Sequence, residues 1–432
     1  MATASKAKDN AEGWKLLFDG LHLKESLEND GHVTLTAEEI KEISGREPRL
    51  MCKFDSKDSR PQILKQNNCT ILPIQNGVYK IVSGDGYAST NSQDCPIEKF
   101  DPSRLHKFQT LPSAFRSESQ VIDAAHASGL LSSFLGDNDL ILTIRGRLRS
   151  PRFGFSFQST KGLLPIEVQG VQIEVDSGFE GDAVYLVEAK MGDREDFHLR
   201  QIYYPYRMWR ETITNKPIKP VFLTYSNGIF ALYLYSFAED TNYHSVRLDK
   251  VRKFTFEQNP SQITLREIID EITPHRQEPT NFPFPQADNI LKVRDTIDLI
   301  ASGFTTRDSL AEYWTIDSRQ GDYYANAAAF LGFVERSNGE WKLTNEGFNF
   351  RNSAPSVRSI QLAQSLFAHP VFHKAMKIYF ETNDYPSKEQ VGEIIQEFTT
   401  LKGTTPTRRA RTVLAWLKAL KLSFEQEILA PQ

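Results

Sequence analysis

Cysteine is scarce. Only Cys52, Cys69 and Cys95 occur in 432 residues. Their number is odd and no C-x-x-C pair is present, which excludes a disulfide framework and a cysteine zinc site and predicts a reducing compartment. Long apolar runs are missing too. The longest, residues 229–237, is far short of the ~20 residues of a membrane helix. The opening stretch, MATASKAKDNAEG, has no apolar core of a signal-peptide kind. The expectation is a cytoplasmic protein with no membrane partner. Neither sign of charge dominates: 51 Lys and Arg face 55 Asp and Glu, a net −4. That balance leaves nucleic acid open, because basic residues can cluster locally. There is no G-x-x-x-x-G-K-S/T phosphate loop, so no nucleotide cofactor is expected. There is also no H-E-x-x-H, no G-x-S-x-G and no dinucleotide fingerprint.

The informative stretch is VQIEVDSGFEGDAVYLVEAKMGDREDFHLRQIYYPYR, residues 171–207. Apolar and polar residues alternate from Gln172 to Asp176, the period of a strand. Gly181 and Asp182 mark a turn. Residues 184–189 form a dense apolar run suited to a central, doubly buried strand. Glu188 and Lys190 end that run on one face. With the turn centred on Asp182, Asp176 falls opposite Glu188, with Cβ atoms roughly 5 Å apart. Two carboxylates at that separation can share a hard divalent cation. Burying them with a lysine is costly unless they pair or bind metal. The bare pattern also fits a structural Glu188–Lys190 ion pair on an ordinary hairpin.

Asp176 followed by Glu188-Ala189-Lys190 on the second strand of a hairpin resembles the PD-(D/E)xK nuclease superfamily, and within it the type II restriction endonucleases. The stretches EPRLMCKFDS (47–56) and RQGDYY (319–324) add to the resemblance, which spans most of the chain. One position departs from the motif: Val175, not proline, precedes the first acid. The resemblance implies a mixed sheet flanked by helices. It also implies a Mg²⁺ site at Asp176 and Glu188 with the Ala189 carbonyl as a further ligand, and Lys190 as the group that positions or deprotonates the attacking water. Glu118, on the helix before the sheet, is the candidate third acid; it equally suits a favourable helix-dipole contact in a first turn. Gln201, with His198 as the alternative, is the candidate polar residue on the helix after the motif. Double-stranded DNA as substrate and a homodimer are implied by the same resemblance.

Five segments are expected. Residues 1–110 are an α/β region with helices at 14–23 and 37–43, the second opened by Thr36 and Glu39 as a capping box. A hairpin about Asn76-Gly77 joins strands at 70–73 and 77–82. Arg46, Arg49, Lys53 and Lys57 crowd this region, either as phosphate contacts or as a solvated face. Residues 111–256 are the nuclease domain: a helix over 117–135, strands at 140–148 and 153–158, the central hairpin, a helix over 193–210, and a hairpin about Asn227-Gly228. Residues 257–288, rich in Pro, Gln and Thr, read as a linker around a short helix at 265–272. Residues 289–352 read as three helices and a β-wing, a winged helix whose third helix would place Arg319, Gln320 and Tyr323 on base edges. Residues 353–432 are helical and end in the most basic run, with Arg408, Arg409 and Arg411 at a helix start.

The expectation is therefore an α+β or α/β chain: a restriction-endonuclease-like core plus C-terminal winged-helix and helical DNA-binding domains. Its activity would be Mg²⁺-dependent hydrolysis of double-stranded DNA at a short specific sequence. Two alternatives stay open: a nuclease specific for methylated DNA, and a winged-helix regulator whose nuclease-like fold does not cut.

Overall fold

The computed structural model describes residues 7–90, 95–112, 115–258, 263–314, 316 and 318–428, with the side chains of 318, 319 and 426–428 outside the description. A seven-stranded mixed sheet forms the centre. Its strands are β1 (Ile97–Lys99), β2 (Ile141–Arg149), β3 (Gln172–Glu180), β4 (Val184–Met191), β5 (Ile218–Ser226), β6 (Ile229–Phe237) and β7 (Val246–Thr255). They lie in the order β1-β7-β6-β5-β4-β3-β2. The β4–β5 and β7–β1 pairs are parallel and the rest antiparallel. The parallel β4–β5 pair needs a crossover, and the Arg200–Arg210 helix supplies it.

Both faces of β4 are covered, which is why its sequence runs apolar without alternation. Tyr185, Val187 and Ala189 pack with Val121, Ala125 and Leu130 on one side. Val184 and Leu186 pack with Ile202, Tyr203 and Tyr204 on the other. The helix expected over 117–135 is two helices, Glu118–Ser128 and Leu130–Leu135, broken at Gly129 with φ +86°. The helix expected from 193 begins only at Arg200. The residues before it, Asp196–His198, form a short strand against Tyr87–Ser89, a pairing across more than a hundred residues that local periodicity cannot reveal. Strand β7 and the Gly162–Val168 strand, which pairs with Phe153–Ser159, were not foreseen.

The N-terminal region packs five helices, Asn10–Gly20, Leu23–Asp30, Ala37–Ser44, Pro48–Met51 and Gln62–Gln66, around a three-stranded antiparallel sheet. The capping box of Thr36 and Glu39 opens the Ala37–Ser44 helix as expected. Cys69–Gln75 and Val78–Ser83 make the hairpin about Asn76-Gly77. This region is tied to the central sheet through the backbone: the His198 N–H donates to Asp55 O at 2.9 Å and the Leu199 N–H to Gly86 O at 3.0 Å.

Residues 265–424 share one hydrophobic core. The stretch read as a linker is part of it. Leu265, Ile268, Ile269 and Ala287 are buried, and the Glu278 carboxylate meets His369 Nδ1 at 2.7 Å and accepts from the Val371 N–H at 3.0 Å. Helices Ile290–Ala301, Arg307–Trp314 and Ser318–Phe330 precede the hairpin Val334–Ser337/Glu340–Leu343. The same core continues through the later helices, with no break near residue 353. This helical part clasps the turn after β4. Asp295 accepts from the Asp193 N–H at 3.0 Å. Gly192, at φ +83°, leaves no room for a Cβ, which would fall 2.8 Å from the Trp314 ring. No helix among the described residues is long and apolar enough to cross a membrane.

Glu278→Ala strips two buried partners at once. We expect it to lower the unfolding free energy by about 3–5 kcal/mol, measured as a drop in the urea midpoint. An unchanged midpoint would mean that the stretch is a free linker after all.

Candidate active site

Strands β3 and β4 pair with Val187 opposite Ser177, which puts the next pair, Glu188 and Asp176, across from each other. Beyond that point β3 leaves β4 and stays paired with β2. The two strands splay, and their acids line a cleft of about 630 Å³. The Ala189 N–H donates to Asp176 Oδ2 at 2.9 Å. Glu188 Oε1 accepts from Lys190 Nζ at 2.6 Å and from Gln201 Nε2 at 2.8 Å. Glu118 Oε1, from the first turn of its helix, lies 3.8 Å from Lys190 Nζ. Asp176, Glu188, Lys190, Gln201 and Glu118 thus meet at one end of the sheet.

Their charges do not balance. Burial pushes the Glu188 carboxyl up to about 8; Asp176 and Glu118 add to the rise, against the pull of Lys190. Burial also raises the Glu118 carboxyl, with Lys190 opposing and Asp176 adding. For Lys190, burial works against the ammonium, but Glu188, Glu118, Asp55 and Asp176 outweigh it and the pKa rises. A buried ammonium stays charged only with such company.

The cleft has a second wall that the motif did not announce. Asp55, from the N-terminal region, lines it. Burial works to raise its pKa, but Lys190, Lys53, Arg200 and Arg194 hold its carboxyl below the usual range. Asp55 lies inside the EPRLMCKFDS stretch, yet nothing in the local pattern distinguishes it from a surface acid. Arg200 comes just after the short strand and lines the same cleft.

His198 is not on the helix and not in the site. Its ring is buried. Nε2 lies 3.2 Å from Ile71 O, and Nδ1 accepts from the Arg200 N–H at 3.3 Å. That pairing fixes a neutral ring with the proton on Nε2. Burial, reinforced by Arg200, brings its pKa down to about 3.

Among the described residues no group of three or more His, Cys, Asp or Glu is arranged to hold a metal ion. The set implied by the motif is smaller, two carboxylates and a carbonyl, and it fits a hard divalent cation. Asp176 Oδ1 and Glu188 Oε2 receive no donor among the described residues, since the bonds above use only the other oxygens. Gln201 Oε1 and Arg200 Nε are buried without a hydrogen-bond partner.

The C-terminal candidates lie elsewhere. Gln320 is exposed near the start of Ser318–Phe330, and Arg319 is in that helix with its side chain outside the described residues. Tyr323 packs partly into the helical core. Arg408, Arg409 and Arg411 lie in the Thr405–Ile428 helix. Burial and the Arg408 charge lower the Arg409 pKa, while Tyr323 opposes them. Arg411 reaches 4.0 Å from Asp288.

Family models match three segments, each described only as a domain of unknown function: DUF6996 over residues 11–81, DUF6997 over 83–255 and DUF7226 over 292–421. They coincide with the N-terminal region, the central sheet and the shared helical core. No curated protein and no solved structure matches the chain.

Because His198 is buried neutral, unfolding releases a ring that binds a proton below its ordinary value near 6.5. Its contribution to stability is therefore present above pH 6.5 and lost as pH falls toward 3. Melting curves across that range should show a shallower acid loss in His198→Asn than in the parent; identical slopes would remove His198 as the cause.

Proposed function

We propose that this chain is a nuclease that hydrolyses phosphodiester bonds of double-stranded DNA, in the manner of the type II restriction endonucleases it resembles. One observation carries the reading: Asp176, Glu188 and Lys190 converge, with Gln201 and Glu118 behind them, at the splayed end of a buried mixed sheet. The order of elements supports it: the helices Glu118–Ser128 and Leu130–Leu135, then β2, β3, β4, the Arg200–Arg210 helix and β5, with β4 and β5 parallel.

Asp176, Glu188 and the Ala189 carbonyl would hold Mg²⁺. When bound, the ion supplies charge to polarise the scissile phosphate and lowers the pKa of a water beside it. Lys190 has its own work. Its ammonium, steadied by Glu188 and Glu118, offsets the negative charge that develops on phosphate oxygens and orients the water. Gln201 fixes the rotamer of Glu188. The three-helix-and-hairpin segment, read as a winged helix, would bring its third helix to base edges, and the basic Thr405–Ile428 helix would grip the duplex backbone. A homodimer would let two such sites address both strands.

Unmethylated and methylated phage DNA, each with Mg²⁺ or EDTA, decide the matter. We expect discrete fragments from unmethylated DNA with Mg²⁺ only. Lys190→Ala and Glu188→Gln should each slow cleavage at least about 100-fold. Intact DNA in every lane would refute the nuclease reading, and cutting of methylated DNA alone would replace the specificity expected here.

A further inference from the structure

We propose that the N-terminal wall of the cleft reads base edges, with Arg49 and the hairpin tip at Gln75 as its specificity-determining residues. This rests on the reading of the cleft as a DNA site and adds where in the chain the sequence is recognised. The wall is made of a single helical turn, Pro48–Met51, and the tip of the hairpin Cys69–Gln75/Val78–Ser83.

Arg49, Lys53 and Gln75 line the cleft and are exposed. None of these three side chains makes a hydrogen bond or ion pair among the described residues. Two other cations of the cleft do have partners: Arg147 meets Glu174 at 3.4 Å, and Lys190 meets Glu188. Arg49 and Gln75 thus present unengaged donors to the same cleft that the acids line, where a bound polyanion could meet both. Arginine and glutamine have the right shape: bidentate donors for guanine and a donor–acceptor pair for adenine. A two-stranded ribbon also fits the major groove.

The wall is stiff. The Tyr204 hydroxyl, on the helix that carries Gln201, donates to Pro73 O at 3.0 Å. The Gln169 N–H, three residues before β3, donates to Ile74 O at 2.9 Å. The Ala37 N–H donates to Gly77 O at 2.7 Å, and Trp14 Nε1 donates to Met51 O at 2.8 Å. Each bond fixes the hairpin or the helical turn, two of them to segments that carry the acids or their support. Bases read here would be held at a set distance from the scissile phosphate.

The test does not depend on cutting. The full chain is mixed with a pool of random 30-base-pair duplexes in calcium buffer, and the bound fraction is sequenced. We expect the parent to enrich one short motif. Arg49→Ala and Gln75→Ala should each weaken discrimination at one or more positions by at least about five-fold, with melting temperatures unchanged. Arg49→Lys should keep affinity but lose the guanine preference, because lysine cannot make the paired contact. The same motif from all variants, or no motif from the parent, overturns the proposal. The nuclease reading fails separately, if the parent with Mg²⁺ leaves DNA whole.

Discussion

A buried lysine held among more acids than it can neutralise is the constraint around which this molecule is arranged. Glu188 and Lys190 lie on a strand covered on both faces, where an isolated charge is prohibitive. Their 2.6 Å contact offsets part of that cost. Glu118, Asp176, Asp55, Gln201 and Arg200 arrive from four other elements, and each element is where it is because apolar packing put it there. The helix of Glu118 is fixed by Val121, Ile122 and Ala125 against the sheet. The helix of Gln201 is fixed by Ile202, Tyr203 and Tyr204 on the opposite face. Replacing such a pair with apolar residues would often be neutral for stability.

The central hairpin was legible because its signals are local. A turn at Asp182 fixes which residues oppose one another, and a period of two fixes which share a face. Those rules put Asp176 opposite Glu188 without any knowledge of the rest of the chain. Gln201 was reached through the family resemblance, which implies a polar residue on the helix after the motif, with His198 as the alternative. Asp55 was not. It is brought to the cleft by a short strand pair between Asp196–His198 and Tyr87–Ser89, and three-residue strands carry no periodicity to read. The same strand explains His198. DFH looks like the first turn of the adjoining helix, and only its distant partner makes it extended.

The segment around Glu278 misled for a different reason. Its proline, threonine and glutamine content is that of an exposed connector, and composition reports what a stretch disfavours, not what it touches. Buried Leu265, Ile268, Ile269 and Ala287, with Ile272, Phe282 and Phe284 packed beside them, and the Glu278 carboxylate bind it into the helical core. Strand β7 was hidden because its register shifts between Leu248 and Lys250, the partners of Tyr235 and Leu234, which breaks the period of two within VRLDKVRKF.

Interleaving of this kind has its sharpest effect at the turn after β4. Gly192 is roofed by Trp314, and the Asp193 amide is capped by Asp295. A chain cut short near residue 258 would retain every strand of the sheet and all the acids of the cleft. It would also leave this bend without its roof, two residues beyond Lys190. The sheet is therefore not a detachable module with helices appended. The helical part is the far jaw of the vice that keeps the lysine strand in line.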